Sequence, residues 1–262
     1  MRAAIESLQR EGVKGLILDL RHCPGGTLDA AVGAAKLFLS SGTIVSINRR
    51  GGTTTDIKAE AQAVAGEFPM IVLVNGQTAS AAEVFVGALK DNRRALVLGT
   101  RTLGKGSIQT LIKLDDGSGA IKLTTSEYRV PSGRNIDKRP GEKTWGIDPD
   151  EGFFVPLDHK QTKAMMQRRH ERQVIGGKAA ADSGRSAPVT ATLLEEQESD
   201  PQLAAALKAI TARLQTGAYA KINNLSATQI EQFLKRDEIE QRRETALEAL
   251  KKIDDELAQL GR

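Results

Sequence analysis

A chain of 262 residues with 40% hydrophobic content has room for one substantial domain and an appendage. Aromatic residues make up only 3%, so a core must rest on Val, Ile, Leu and Ala, and the single cysteine, Cys23, excludes an internal disulfide and any cysteine-pair zinc spacing. The formal charge of +4 is scattered among acids without an aromatic–basic stripe, which argues against nucleic acid, and no apolar run reaches the roughly 18 residues that a membrane-spanning helix needs.

Residues 1–15 read as an amphipathic helix running into a strand. They lack the charged stub and apolar stretch of a signal peptide, so the chain is expected to start directly inside folded structure. Val13–Leu20 is a continuous apolar run, as expected of a strand buried on both faces. Leu28–Leu39 is Ala-rich and reads as a helix, and Thr43–Asn48 as a strand. Met70–Val74 is a second buried strand, Ala81–Leu89 a helix after it, and Ala95–Leu98 a third strand. Ser107–Leu114 and Ala120–Glu127 alternate as a hairpin does, with Asp115–Gly119 as the turn. This order implies an α/β domain over residues 1–158.

Beyond Leu157 the texture changes. Residues 159–200 form a polar segment and linker: 159–175 lack a clear apolar face, and Gly176–Pro188 is small and flexible in composition. Residues 201–262 form a helical tail, with helical patterns over 201–216 and 225–260. In the latter, Ala246, Leu250, Ile253, Leu257 and Leu260 fall at 4-3-4-3 spacing, a short heptad-like seam open to weak self-association or to packing on the core.

Three segments could carry chemistry, and each follows a predicted strand, where α/β sheets gather their sites. The first is Arg21-His22-Cys23-Pro24-Gly25-Gly26. Its glycines allow a sharp turn with N–H groups aimed at a ligand, or simply a tight turn. In the second, Asn75–Val84, Ser80 stands where a helix begins. A serine there is either a nucleophile beside a helix dipole or a plain N-cap. The third is Gly99–Gln109. Lys105 between two glycines is either a base pressed into an enclosed pocket or a solvated turn lysine. A phosphate-loop reading fails, because Gly106 stands where Ser or Thr must follow the lysine. If the segment continues as a strand, Lys105, Ser107 and Gln109 share a face, and Gln109 could orient the Lys105 amine.

Taken together, the segments resemble the carboxy-terminal processing peptidases, or tail-specific proteases. The matching stretches are Gly15–Arg21 with Pro24-Gly25-Gly26, Val74-Asn75 with Thr78–Glu83, Gly104–Gln109, Pro131–Ile136 and Gly146–Asp150, and they span residues 1–158. The resemblance implies a crotonase-like (ClpP/crotonase) α/β protease core followed by the helical C-terminal extension, working without a metal or other cofactor. It implies Ser80 as nucleophile, Lys105 as general base and Gln109 as its support. The backbone N–H groups of Ala81 and of Gly25 or Gly26 would form the oxyanion hole, with Glu83 as an accessory acidic residue. Substrates would be proteins or peptides with apolar C-terminal tails, and the compartment the bacterial periplasm or cell envelope.

The sequence departs from the family pattern at four positions near these motifs. His22 and Cys23 stand where two asparagines are usual, Gln77 where glycine is, and Ala82 where serine is. A Cys23–His22 pair is disfavoured because adjacent side chains on extended backbone point apart, and His159 and His170 lie in the polar tail, so a Ser-His-Asp triad has poor candidates. The cap and PDZ domain that normally precede this region have no counterpart before Met1. The chain is then expected to be either a fragment or mis-started reading frame, or a reduced homologue. The second leaves an inactive crotonase-like scaffold with an oligomerising tail as the alternative, and a crotonase-type acyl-CoA enzyme, which would not require both Ser80 and Lys105, is a third reading.

Overall fold

In the computed structural model, which describes residues 1–115, 117–142, 144–173 and 188–260, the apolar runs form a parallel sheet. Its strands are β1 (Leu16–Asp19), β4 (Met70–Val74) and β5 (Leu96–Gly99), in the order β1-β4-β5. Every residue of the central strand is fully buried, as an all-apolar strand covered on both faces must be. Helix α1 (Arg2–Arg10) leads into β1, α2 (Leu28–Ala35) follows it, and α3 (Ala81–Asp91) connects β4 to β5. A second, antiparallel sheet has the order β3-β2-β7-β6, from β2 (Thr43–Arg49), β3 (Thr54–Lys58), β6 (Ser107–Lys113) and β7 (Ala120–Arg129).

Some elements differ from expectation. The first strand is half the length of the apolar run, and the helix after it stops at Ala35, where the chain tightens into bonds from Leu37 N to Ala34 O and from Phe38 N to Ala35 O. The Leu37 carbonyl then turns to the N–H groups of Val64 and Ala65, which buries Leu37, Phe38 and Leu39 without a helix. Strand β3 went unforeseen: Thr-Thr-Asp-Ile-Lys has no apolar alternation and is held as a strand by its ladder to β2. Residues 159–173, read as patternless, form helix α4 (His159–Gln173), with Met165 buried. Helices α5 (Ala191–Glu196), α6 (Pro201–Thr216) and α7 (Ala227–Leu260) follow. The expected linker, Gly176–Pro188, lies outside the described residues up to position 187.

The described residues divide into two units. One comprises Met1–Val155 with Ala206–Ile222, the other Pro156–Ala205 with the chain from Asn223 onward. Within the first unit the second half of α6 returns to the parallel sheet. Ile210 packs so closely on Gly15 that a Cβ there would lie 2.9 Å from its Cδ1. The Tyr219 hydroxyl accepts from Met70 N–H at 3.1 Å and donates to Met70 O at 3.2 Å, and burial pushes the phenol above its ordinary pKa. In the second unit the apolar side chains of the α7 seam are uncovered: Leu250, Ile253 and Leu257 are more than half exposed.

Tyr219→Phe strands the Met70 N–H at the start of the central strand. It is expected to destabilise the first unit by about 1–2 kcal/mol, read by calorimetry as a lower melting transition. An unchanged transition would mean that the 206–222 segment does not support the sheet.

Candidate active site

Three loops leave the carboxyl ends of β1, β4 and β5, and hydrogen bonds tie them into one site. Thr78, fully buried, is the first tie. Its Oγ1 donates to Leu20 O at 2.8 Å and accepts from Asn75 N–H at 3.0 Å, while its carbonyl accepts from Leu103 N–H at 3.0 Å. Arg21 is held at the end of β1 by Asp19, Nε to Oδ1 at 3.0 Å and Nη2 to Oδ2 at 2.8 Å.

Ser80 is the N-cap of α3 and is strained, with φ 56° and ψ −123°. A non-glycine residue in that region costs of order 1–3 kcal/mol and persists where its surroundings over-determine it. The surroundings are Glu83, wholly buried, whose carboxylate collects four donors. Oε2 accepts from Ser80 N–H and Lys105 N–H, both at 2.8 Å. Oε1 accepts from Gly104 N–H at 2.7 Å and from the Thr102 hydroxyl. One oxygen atom therefore holds the backbone of Ser80 and of Lys105 together.

Gly25, with φ 99°, lies against this turn. A Cβ on it would sit 2.6 Å from Ala79 O and 3.0 Å from both Ala81 N and Ser80 Cβ, so only glycine fits. Ala79 N–H donates to Cys23 O at 2.9 Å across the same seam. Ala81 N–H is the first of α3 and has no acceptor within the helix. Gly26, next along, is exposed with open space around its Cα.

Lys105 corrects the expectation of an enclosed amine, because its side chain is exposed. The physical reason is the alternation of extended backbone. Gly104 and Gly106 face the protein, where added Cβ atoms would lie 2.6 Å from Trp145 Cδ1 and 2.7 Å from Asp137 N. Lys105 between them faces the other way. Among the described residues no hydrogen bond joins its amine to Ser80 Oγ or to Gln109, which is itself exposed on β6 opposite Thr124.

No local sequence pattern signals what backs this lysine loop. The Trp145 ring is contacted by two cations, the Arg101 guanidinium 4.4 Å and the Lys138 ammonium 4.8 Å from its centroid. Arg101 also pairs with Asp148 at 2.5 Å. His22 and Cys23 form no pair: the His22 ring bonds to Asn75 and Gln77. His159 is exposed and pairs with Glu244 at 2.8 Å, and His170 is exposed. Among the described residues no three His, Cys, Asp or Glu side chains converge as a metal site.

The pattern of Peptidase family S41 matches residues 1–153. A carboxyl-terminal-processing protease of Synechocystis sp. is 40% identical over 193 residues, covering 72% of this chain and 43% of that protein. The carboxy-terminal-processing protease of Bartonella bacilliformis is 37% identical over 228 residues, 84% of this chain and 50% of that one. The structure of a photosystem II D1 C-terminal processing protease superposes with a TM-score of 0.53 at 38% identity, covering 61% of this chain and 38% of that one. The chain thus spans half or less of the length of these relatives.

Two substitutions test the turn. Because Ser80 is strained, Ser80→Gly is expected to be more stable than Ser80→Ala by about 1 kcal/mol in chemical denaturation, since glycine alone adopts positive φ freely. Equal stabilities would contradict the strain. Glu83→Gln is expected to cost about 2 kcal/mol or more, because either orientation of the amide turns its NH2 toward a backbone N–H donor. A melting temperature like that of the unsubstituted chain would refute the four-donor arrangement.

Proposed function

We propose that this chain, which belongs to peptidase family S41, is the hydrolytic part of a serine endopeptidase that cuts protein substrates near their C-termini with Ser80 and Lys105. The observation that carries the reading is the shared Glu83 oxygen, 2.8 Å from the N–H groups of both Ser80 and Lys105. Nucleophile and base stand on two loops that cannot drift apart without stranding a buried carboxylate. In this reading the first unit has a crotonase-like fold, supported by its parallel sheet with loops gathered at one end, and the second unit is its helical extension.

The chemistry follows from the groups present. Neutral Lys105 Nζ takes the Ser80 Oγ proton as the oxygen attacks the scissile carbonyl. Negative charge on the carbonyl oxygen is met by the N–H group of Ala81 at the start of α3, where the helix dipole favours an anion, and by that of Gly25 or Gly26 in the loop after β1. The tetrahedral adduct collapses, the C–N bond breaks, and the leaving amine takes the proton from the Lys105 ammonium. Water then attacks the acyl-serine, Lys105 again accepting a proton and returning it to Ser80. Gln109, four residues along from Lys105, orients the amine once it turns inward. An exposed lysine is a poor base, so a bound peptide chain must cover Lys105 and supply the desolvation that favours its neutral form. Extended tails with apolar ends suit that task.

The uncovered seam of α7 favours a second role for the extension, weak self-association through residues 225–260. A scaffold without turnover would share that seam but would not need Ser80.

Lys105→Arg is expected to abolish hydrolysis of an unfolded protein as completely as Lys105→Ala and Ser80→Ala do, because guanidinium keeps its proton. Gln109→Ala should cost less. Wild-type turnover by Lys105→Arg would sink the base assignment, and a fully active Ser80→Ala the whole reading. Self-association is tested with Leu250→Glu/Leu257→Glu, which leaves in place the segment of α6 that returns to the sheet. Light scattering of that variant should give a smaller mass than the unsubstituted chain, and an unchanged mass would remove the oligomerisation claim.

A further inference from the structure

We infer that His22, as a neutral imidazole protonated on Nδ1, is a positioning residue that locks the glycine loop after β1 onto the nucleophile loop after β4; the inference rests on the peptidase reading and concerns its oxyanion hole. The donors and acceptors around the ring admit one arrangement. Asn75 Oδ1 accepts two backbone N–H groups, from His22 at 3.0 Å and from Gln77 at 3.1 Å. That end of the Asn75 amide must therefore be oxygen, and the end facing His22 Nε2 at 3.1 Å must be Nδ2. An amide NH2 only donates, so Nε2 must be the bare, accepting nitrogen. The ring proton then lies on Nδ1, 2.7 Å from Gln77 Oε1, which accepts it. Rotating the Asn75 amide to suit the opposite tautomer would break both backbone bonds. An imidazolium would set one donor against another at Nε2.

The lock acts on the oxyanion loop. His22 itself has a positive φ of 60°, a conformation uncommon for a residue with a Cβ. Its own N–H is held by Asn75, and its ring by Asn75 and Gln77. Three residues on, Gly25 presses against Ser80 and Ala81 closely enough to exclude a Cβ. Between the two, Cys23 O takes the Ala79 N–H. The direction in which the N–H groups of Gly25 and Gly26 point is thus set at one end by the glycine packing and at the other by His22. An oxyanion donor must lie within a few tenths of an ångström of its best position to favour the transition state, so loosening one end should slow reaction without weakening the initial encounter.

The test uses the full chain and a fluorophosphonate carried on an extended apolar peptide, which covers Lys105 as a substrate would. The Ser80 hydroxyl gives its proton to Lys105 and forms an O–P bond as fluoride leaves, with the phosphoryl oxygen directed at the same N–H groups. Saturation kinetics separate the limiting labelling rate at Ser80 from the concentration giving half that rate, and circular dichroism reports folding. His22→Leu is expected to lower the limiting rate about tenfold, with the half-saturating concentration within about twofold of the unsubstituted value. His22→Asn, whose amide NH2 takes the place of Nδ1–H, should recover most of that loss. Nitrogen-15 NMR of the unsubstituted chain, with His159→Gln and His170→Gln to assign the signals, should find the His22 proton on Nδ1. An unchanged limiting rate in His22→Leu, an effect on half-saturation alone, or a proton on Nε2 would each overturn the inference while Ser80 labelling upheld the peptidase reading. If His22→Leu does not fold, His22→Asn and the NMR tautomer decide in its place. An unsubstituted chain that is never labelled at Ser80 would overturn the peptidase reading, and the positioning role with it, even with the Nδ1 proton in place.

Discussion

The Glu83 carboxylate has no contact with solvent, yet it stands on the first turn of α3 with four donors converging on its two oxygens. An isolated carboxylate in such a place would cost several kcal/mol. Hydrogen bonds to a charged group return about 1.5–3 kcal/mol each, and the helix N-terminus adds up to about 1 kcal/mol. The arrangement is favourable only when all donors are present together. The donors come from the turn before α3 and from the loop after β5, so neither segment can move without leaving part of the charge unsatisfied. The strain at Ser80 follows from this: its N–H is committed to Glu83, and the chain accepts φ 56° to keep that bond while starting the helix.

The same constraint explains which way Lys105 points. Its N–H is fixed to Glu83, and its glycine neighbours are pressed on Trp145 and on the backbone at Asp137. With both neighbours facing inward, the intervening side chain faces outward. In the proposed mechanism, a site built this way keeps Ser80 and the N–H groups of Ala81 and of Gly25 or Gly26 in place at rest and leaves Lys105 to be covered on binding. Such a division would suit the proposed cleavage of an extended chain, because the peptide to be cut would also remove water from the lysine.

The loops on which all this rests lie at the carboxyl ends of three parallel strands, and the shared edge is what lets residues far apart in sequence meet. Thr78 reaches Leu20 across 58 positions and His22 reaches Asn75 across 53. The antiparallel sheet contributes β6, which begins directly after the lysine loop, and β7, whose Tyr128 N–H bonds to Gly106 O at 2.8 Å and anchors that loop from behind.

Much of this was legible in the residues taken in order. The unbroken apolar run Met70–Val74 could only be a buried strand, and Pro201–Thr216 an Ala-rich helix, because local pattern and tertiary role agree there. The family motifs singled out Ser80, Lys105 and the glycines as the residues of the proposed chemistry. Where pattern and role part, the sequence was silent. Strand β3 exists because β2 offers it a ladder, and helix α4 lacks an apolar stripe of its own. The outward face of Lys105 depends on what Gly104 and Gly106 pack against, more than 30 residues further along the chain. The four donors on Glu83 and the tautomer of His22 are likewise set by partners that local pattern cannot bring together. Sequence determined which groups are available; tertiary structure alone decided which of them face each other, because a hydrogen bond depends on distance and direction in space and not on separation along the chain.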